Sequence, residues 1–518
     1  MVSAMTGGLV RLAAALLMSL AAAGACAQTA ARPLSALRPA GGAAASAHAL
    51  VVELSPREVL SGAHLDVVPT ALPPTGSRYA VWVNGALAAD VLASGHKQTL
   101  ALAPNLFDPG VNTIQLALAP PGAPLTSELA RSAAASVDDA RSMLSLDFAG
   151  LRPNPTPTLA QIPLAFDARA WLPRTVSVDL GRGPRAPEQL EAATLAVQRI
   201  VARMRRADVS VAYLSEGSIA DWGRDPESWG LNEEDVAAGD TLVVGTRATL
   251  SRELPASIAR AVTGPFVGIY PANAGKSVVV VISGVTDADC VRAAQWFADS
   301  SAALPAEAAM VIGKDALVRP PVTREAIALA EPDPALVRAA LRFAAVRAKA
   351  TGEIADFAIR FSGNPAGANF FFGKDSALPP DLRRHLPVYA PLQPGQAVSL
   401  PATLGGASFV AIVGVRNAAV VGAVDMLRNP AVWSLFSRHA TLFDTRAQSA
   451  VPLAVARRSP LAEVRLFLAD PLTFWSVLGA LLLASFVFVN LALKAQVAQR
   501  LEAAGQRPAG EAPPPKST

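Results

Sequence analysis

The feature that most constrains this chain is a run of 23 consecutive residues without an ionisable side chain near its C-terminus. It extends from Pro471 to Leu493 and reads PLTFWSVLGALLLASFVFVNLAL. At 1.5 Å per residue, a helix of this length crosses the roughly 30 Å of hydrocarbon in a bilayer. A buried core helix is the alternative, but such helices seldom run so far without a polar stripe. The sequence therefore predicts a transmembrane helix at residues 471–493.

The residues that flank this run predict how it lies in the membrane. Trp475 is near its start, where an aromatic ring suits the membrane interface, and Lys494 follows its last apolar residue. By the positive-inside rule, the tail at residues 494–518 is expected in the cytoplasm. Apolar residues at helical spacing in residues 456–470 predict an amphipathic helix on the outer interface.

The N-terminal residues predict export. Arg11 precedes an apolar stretch, which Ala25-Cys26-Ala27 follows in the form of an A-x-A cleavage site. We expect residues 1–27 to be a cleaved signal peptide, with acylation of Cys26 as the alternative. Cys290 is then left without a disulfide partner. Together with the C-terminal run, these features predict a single-pass protein of a bacterial inner membrane with its bulk in the periplasm.

The charge distribution argues against one class of partner. The chain has 45 basic and 41 acidic residues, and they are spread along it without the basic stripe that nucleic-acid binding needs. Nucleic acid is therefore not an expected partner. Its five histidines and two cysteines form no cluster with metal-ligand spacing, so no metal is expected either.

The N-terminal third predicts a β domain. Residues 28–47 are rich in Ala, Pro and Gly and predict a flexible leader. Residues 48–125 contain short alternating runs, such as Ser77–Asn84, which ends at the turn dipeptide Asn84-Gly85. This pattern predicts an antiparallel β-sandwich of the jelly-roll, carbohydrate-binding type. Residues 126–165 are predicted to be a linker.

The remaining globular part predicts alternating strands and helices. Pro187–Arg206 has one apolar stripe, and Ser277–Ile282 is a continuous apolar strand of the kind buried on both faces. Residues 166–318 therefore predict a flavodoxin-like α/β domain with a parallel sheet. Residues 319–455 predict a second, reduced α/β domain. The expected fold class is multidomain β and α/β with one C-terminal transmembrane helix.

Two motifs suggest chemistry, and each has a structural alternative. Gly181-Arg-Gly-Pro-Arg-Ala186 has the spacing of a dinucleotide-binding loop, although Pro184 removes a backbone donor. Gly239-Asp-Thr-Leu242 is similar to the Gly-Asp-Ser-Leu block of a hydrolase class, with Thr241 as nucleophile and His385 as a candidate base. A turn and a loop that enters a buried strand are the alternatives. Neither catalysis nor a directly bound cofactor is expected.

Aromatic and amide side chains are the candidate carbohydrate contacts. Trp82 shares a strand face with Arg78 and Asn84, opposite apolar neighbours, so its ring is predicted to point outward and stack on a sugar. Core packing is the alternative for this ring. Trp222 and Trp229 lie in a polar loop expected at the strand ends of the first α/β domain. The predicted carbohydrate contacts are Trp82, Asn84, Trp222 and Trp229.

Several of these segments together resemble one family, the regulatory subunits of bacterial cellulose synthase, also described as cyclic di-GMP-binding regulatory proteins. The block from Tyr79-Ala-Val-Trp-Val-Asn-Gly85 to Phe107-Asp-Pro-Gly-Val-Asn112 looks like the family's jelly-roll. Its flavodoxin-like domain is similar to segments 240–246, 264–269 and 279–284. The stretch from Val432-Trp433 to Phe443-Asp444 and the C-terminal anchor complete a resemblance that covers most of the chain from about residue 50.

The resemblance implies a non-catalytic periplasmic subunit of a synthase that uses UDP-glucose. Such a subunit supports the membrane glycosyltransferase through its transmembrane helix and guides the nascent β-1,4-glucan. Cyclic di-GMP is implied only by the resemblance, and we expect it to act through the synthase because it is a cytoplasmic nucleotide. The chain departs from the family pattern because a second jelly-roll between the α/β domains is not visible. A membrane-tethered polysaccharide-binding protein and a polysaccharide esterase are the alternatives.

Overall fold

A computed structural model describes residues 28–39, 49–133, 135–181, 185–214, 239–299, 301–302, 304–361, 367–404, 407–453 and 471–505. The predicted signal peptide, the interfacial helix at 456–470 and the end of the tail from residue 506 lie outside this part of the chain. The chain divides into two compact units. One comprises residues 1–385 and 392–452, and the other comprises residues 386–391 and 453–518.

The first described region is a β-sandwich. Its strands are β1 (Gln28–Pro33), β2 (Ala49–Leu54), β3 (Glu58–Val67), β4 (Arg78–Val83), β5 (Ala86–Leu92), β6 (Gln98–Leu102), β7 (Gly110–Ala119) and β8 (Met143–Leu151). They form two antiparallel sheets with the orders β1-β8-β3-β6 and β2-β7-β4-β5. Alternate residues of both sheets, such as Val52, Leu65, Tyr79 and Leu146, share one buried core. A short helix, α1 (Ser127–Ser132), follows β7.

The sandwich is larger than predicted. Residues 28–33, predicted to be flexible, form the edge strand β1, and β8 lies inside the predicted linker. Strand β1 has no large apolar side chain, so its sequence gives no alternation, and pairing with β8 holds it in place. Strand β8 carried a readable signal, because Leu144, Leu146 and Phe148 alternate along it and are buried.

The first α/β region follows the sandwich. Its elements are α2 (Ile162–Ala165), β9 (Arg174–Asp179), α3 (Pro187–Arg203), β10 (Val209–Leu214), β11 (Asp240–Thr246), α4 (Ala256–Ala261), β12 (Phe266–Ala272), β13 (Ser277–Gly284), α5 (Asp287–Ala298) and β14 (Ala309–Val311). The sheet order is β10-β9-β11-β13-β12-β14. Pro187 at the first turn of α3 and the buried stripe of Leu190, Val197 and Val201 explain why that helix begins and packs there.

The prediction of a parallel sheet was wrong at β12. Strands β9, β10, β11 and β13 are parallel, but β12 is antiparallel to both β13 and β14. Only residues 273–276 join β12 to β13, and such a short connection cannot cross over to a parallel strand. Positive φ angles at Asn273 (49°), Ala274 (50°) and Gly275 (80°) close this tight turn.

The second α/β region repeats the first. Its elements are β15 (Thr323–Leu329), α6 (Pro334–Thr351), β16 (Ala355–Phe361), β17 (Phe370–Lys374), α7 (Pro380–His385), β18 (Gln396–Leu404), β19 (Ala407–Gly414), α8 (Asn417–Met426), α9 (Pro430–Phe436), β20 (Thr441–Asp444) and β21 (Ser449–Pro452). The sheet order is β16-β15-β17-β19-β18-β20-β21. If the first six strands of each region are numbered from 1 to 6 along the chain, both sheets have the order 2-1-3-5-4-6. The parallel and antiparallel pairings are also the same.

The prediction that the second α/β region is reduced was therefore wrong. It has the full strand order of the first and one further edge strand, β21. The prediction missed β15, α6 and β16 because it followed only the most apolar segments of this part of the chain. Strands β14 and β15 are separated by residues 312–322, which is too short a segment to hold a second sandwich.

Buried polar contacts fix the sandwich to the first α/β region. The Glu58 carboxylate accepts hydrogen bonds from the backbone N–H groups of Trp171 and Leu172 at 2.8–3.0 Å. The Arg57 guanidinium donates to the carbonyls of Gly275 (3.1 Å) and Lys276 (3.0 Å). Because buried charges are costly unless they are satisfied, these contacts favour one relative placement of the two domains.

The two α/β regions cover each other's sheet edges. Strands β10 and β16 are edge strands, and each is covered by the first long helix of the other region. From α3, Gln198 donates to the Ala355 carbonyl and accepts from the Ala355 N–H, both at 2.9 Å. From α6, Arg342 donates to the Val211 carbonyl at 2.8 Å. An exposed sheet edge can pair with the wrong strand. Because each region covers the edge strand of the other, the two regions form one folded body with a single continuous core.

A pair of carboxyl groups lies at the same junction. Glu191 of α3 faces Asp356 of β16, which is 6% exposed. Burial, then the charge of Asp356 and a hydrogen bond with it, raise the pKa of Glu191 to about 7, with Glu188 adding to this effect and Arg324 opposing it. A protonated Glu191 suits this junction, and an ionised one repels Asp356.

This pair predicts a pH dependence of stability. The pKa of Glu191 is higher in the folded state than in the unfolded state. Its contribution to stability is therefore complete below the unfolded-state pKa of 4.5 and is lost as pH rises through about 7. Glu191→Gln should therefore match the wild type near pH 5 and exceed its free energy of unfolding by about 1–2 kcal/mol at pH 8. Urea unfolding of the full chain at both pH values measures this difference. Glu128→Gln, the same change at an exposed position of α1, is the control, and equal pH profiles for both variants would refute the account.

The other compact unit contains the helix α10 (Pro471–Gly505). Its segment Leu478–Arg500 is long and apolar enough to cross a membrane, and no residue of its most apolar stretch is buried. Leu482, Phe486 and Phe488 are each more than 60% exposed. A surface this apolar is stable only against lipid or another protein.

Candidate functional site

The structure contradicts the outward placement predicted for Trp82. This residue is 2% exposed and packs with Ala80 and Ala117 under Leu125 and Leu129. Helix α1 and the segment before it cover the strand face that the alternation had marked as exposed. The alternation correctly places Trp82 on the strand face opposite Tyr79. That face packs into a second small core, so the Trp82 ring is not exposed to a sugar.

Asn84 lies at the surface, and its side chain holds the β4–β5 turn. Its φ of 51° is left-handed, a conformation that Asn tolerates. Its amide group donates to the Leu106 carbonyl at 3.0 Å and to Asn112 Oδ1 at 2.8 Å, and its oxygen accepts from the Thr113 N–H at 2.9 Å. Asn112 is itself fully buried. The two asparagines therefore form one hydrogen-bond network, which gives Asn84 and Asn112 a structural role that needs no sugar.

The other two predicted carbohydrate contacts, Trp222 and Trp229, lie outside the described residues. They belong to the segment between β10, which ends at Leu214, and β11, which begins at Asp240. Their prediction therefore stays as the sequence made it.

Thr241 does not lie where a nucleophile could meet a substrate. It is the second residue of β11 and is 1% exposed. The neighbouring Asp240 is equally buried and accepts a hydrogen bond from the Val278 N–H at 3.0 Å. His385, the candidate base, ends α7 in the other α/β region. The Gly-Asp-Thr-Leu segment thus enters a buried strand, as its structural alternative predicted.

The crevice where α/β folds commonly bind ligands is filled in the first region. The strand order reverses between β9 and β11, and Gln189 lies there, donating to the carbonyls of Leu180 (2.6 Å) and Val244 (2.8 Å). A Cβ at Gly245 would come within 2.7 Å of the Gln189 amide nitrogen. Gln189 therefore makes a structural contact between the ends of β9 and β11.

The corresponding place in the second region, between β15 and β17, carries a self-contained ion pair. Glu331 lies 2.9 Å from Lys374 Nζ and accepts a hydrogen bond from Asn417 at 2.8 Å. These two hydrogen bonds lower the pKa of Glu331. The charges satisfy each other, so this cluster is a structural contact between strand ends.

A recess that carries several charges lies between the two α/β regions. We call it the basic cavity; its volume is about 670 Å³, within the roughly 300–1,000 Å³ of small-molecule sites. Helix α3 and strand β10 form one wall, and helices α6 and α9 form the other. Its principal side chains are Arg205, Arg342, Lys349, Asp425, Arg428 and Trp433.

Basic groups outnumber acids around this cavity. Of its described lining residues, Arg205, Arg342, Lys349 and Arg428 are basic and Asp425 is acidic. Arg342 is paired with Asp425, and burial raises the pKa of that carboxyl although Arg342 opposes the effect. The arrangement leaves a net positive recess that is open to solvent.

Asp208 at the rim compensates part of this charge. It pairs with Arg428 and lies 3.9 Å from Lys349 Nζ. Burial lowers the pKa of Lys349, with Asp208 acting in the opposite direction. Arg205 is exposed and donates to the Gly352 carbonyl at 3.1 Å. Its guanidinium is therefore tethered by a neutral partner and keeps its charge available.

Trp433 gives the cavity a rigid aromatic wall. Its ring lies 5.5 Å from the Phe436 ring and 6.3 Å from the Phe343 ring, centroid to centroid. Asn429 caps the helix by accepting a hydrogen bond from Ala431 N–H, with Pro430 at the first turn. Sequence reasoning did not single out this site. The signal was present in the basic stripe of α6 and in the Asn-Pro start of the Trp433 helix.

The predicted membrane anchors, Trp475 and Lys494, both lie on α10. They are 19 positions apart, which corresponds to about 28 Å along a helix and matches the thickness of a hydrocarbon core. No group of His, Cys, Asp and Glu side chains suited to a metal ion occurs among the residues that the structure describes. Burial raises the pKa of the Cys290 thiol to about 12, so this cysteine is an unreactive core residue.

The chain matches no protein-family model and no curated protein. Among solved structures it is similar to a family two carbohydrate esterase from Cellvibrio japonicus, with 14% identity over 37% of this chain and 55% of that chain and a TM-score of 0.14. It is similar to an acetyl xylan esterase (Est2A) from Butyrivibrio proteoclasticus, with 10% identity over 36% of this chain and 49% of that chain and a TM-score of 0.13. The chain spans about half the length of these proteins. TM-scores this low support no assignment of fold or function.

Proposed function

We propose that this protein is a non-catalytic, membrane-anchored subunit of a cellulose synthase complex, with its globular part in the periplasm and its C-terminus in the cytoplasm. In this role its transmembrane helix supports the membrane glycosyltransferase, and its globular part guides the nascent β-1,4-glucan. Cyclic di-GMP regulates the complex through the synthase. The proposal includes a jelly-roll assignment for the sandwich and a flavodoxin-like assignment for both α/β regions.

The observation that carries the proposal is the order of parts. A β-sandwich precedes two α/β regions of the same strand order, and an unburied apolar helix follows them. This order agrees with the family resemblance of the sequence and supplies an apolar surface, on α10, that needs a partner in or beside the lipid. The proposed subunit is a shortened one, because no second sandwich separates the α/β regions.

The burial of Thr241 weighs against the esterase alternative in the form that the sequence suggested. A tethered polysaccharide-binding protein remains the second candidate, because the basic cavity is a ligand-sized recess that needs no synthase. These two readings differ in what they require of α10. A binder needs only an anchor, whereas a synthase subunit needs a specific helix surface.

The test is a detergent pull-down of the tagged full chain from its native membrane, with identification of the proteins that co-purify. We expect a membrane glycosyltransferase in the eluate. A clean monomer would contradict the subunit proposal and favour the tethered binder.

A further inference from the structure

We propose that the basic cavity between the two α/β regions binds a short acidic saccharide, a sugar that carries a carboxylate or phosphate group. The proposal goes beyond the function proposed above and holds whether or not the chain belongs to a synthase. It rests on the size, charge and aromatic wall of the cavity.

The charge of the cavity selects for an anion. Four basic side chains face it against the single carboxylate of Asp425, and the rim residue Asp208 leaves the balance positive. Arg205 has only a backbone carbonyl as its partner in the described part of the chain. A guanidinium placed in this way can form a bidentate pair with a carboxylate or a phosphate.

The remaining groups favour a sugar over a simple ion. Trp433 presents an indole ring that Phe343 and Phe436 hold in place, and an aromatic face stacks well on the C–H face of a sugar ring. Ser210, Asp425 and Gln448 add a hydroxyl, a carboxylate and an amide to the lining. Such groups exchange hydrogen bonds with sugar hydroxyls. The carboxylate among them disfavours a polyphosphate, which would carry several negative charges past it.

Because the cavity lies between the two α/β regions, ligand binding should affect their junction. Its walls come from both α/β regions, and Arg342 of the second region donates to the Val211 carbonyl of the first while it pairs with Asp425 of its own region. A ligand held there contacts both regions, so binding should also stabilise their junction.

The experiment is isothermal titration calorimetry of the full chain in detergent at low and moderate salt. The probes are trigalacturonate, glucose 6-phosphate, the neutral sugar cellotriose, AMP and inorganic phosphate. We expect at least one acidic saccharide to bind at least about tenfold more tightly than cellotriose and inorganic phosphate, and to bind more weakly as salt rises. Comparison of trigalacturonate with glucose 6-phosphate identifies the acidic group.

The variants are chosen to leave the fold intact. Trp433→Phe keeps an aromatic ring against Phe343 and Phe436 and should weaken binding by about two- to tenfold. Arg205→Gln should weaken it by about three- to tenfold and reduce its salt dependence. The matched control is Arg141→Gln, which removes the same charge from a side chain that is 75% exposed on the sandwich, and it should have no effect.

Four results with the wild-type protein would overturn the proposal. These are no binding of either acidic saccharide, equal binding of cellotriose, equal binding of inorganic phosphate alone, and tighter binding of AMP than of both acidic saccharides. Wild-type affinity in both cavity variants would also overturn it.

Discussion

Replacing Gln198 with leucine is expected to lower the free energy of unfolding by about 2–5 kcal/mol, because it leaves two buried backbone groups unpaired. Gln198 is fully buried on α3 and holds both the N–H and the C=O of Ala355 on the free edge of β16. Leucine has a similar volume but neither donor nor acceptor, so the loss measures the hydrogen bonds and not a cavity. The shift of the urea midpoint of the full chain measures this effect.

The control for this change is Gln295→Leu, on the partly exposed face of α5. It makes the same chemical change where no sheet edge depends on it, and it should alter stability by less than about 0.5 kcal/mol. If the two variants unfold at the same urea concentration, the edge cover by α3 does not hold the two α/β regions together.

Placing two aspartates in the apolar helix, Leu482→Asp with Phe486→Asp, is expected to release the protein from the membrane fraction. Each charge at the centre of a span costs about 2.5–3.5 kcal/mol on insertion scales, so two of them should remove most of the driving force for insertion. Both residues are exposed on α10 and have no core to lose. Alkaline carbonate extraction followed by blotting measures the shift, which we expect to exceed about tenfold.

The matched control is the apolar pair Leu482→Ala with Phe486→Leu, which should stay in the membrane fraction. Retention of the double aspartate variant after carbonate extraction would contradict a role of α10 as the anchor.

The sequence predicted the positions of individual strands and helices better than the way in which they pair and pack. Strand β13 was predicted to begin at Ser277, as it does, and helix α3 was predicted to end three residues late, because their apolar patterns are set locally. Helix α6 was missed although Asp333 caps it, Pro334 starts it and Gly352 ends it at a φ of 75°. The antiparallel β12 was misassigned because burial on both faces looks the same in either direction.

The candidate site was harder to predict, for a physical reason. Alternation reports which residues share a face but not what covers that face, so Trp82 was assigned to solvent when α1 buries it. The basic cavity joins Arg205 and Trp433, which are more than 200 residues apart. Only the shared strand order and the mutual edge cover of the two α/β regions bring them together.

The mutual cover of the sheet edges also predicts how the two α/β regions move. With β10 covered by α6 and β16 covered by α3, neither α/β region keeps its buried edge if the other moves away. The two regions should therefore move as one body.

The most direct test of the central claim exchanges the surface of the transmembrane helix while keeping an anchor. Residues 471–493 are replaced by an unrelated apolar helix of the same length, and both forms are pulled down in detergent from the native membrane. The account predicts that both forms remain in the membrane, that the native form brings down a glycosyltransferase, and that the exchanged form brings down at least about tenfold less. Equal recovery with both helices, or no glycosyltransferase with the native one, would contradict it.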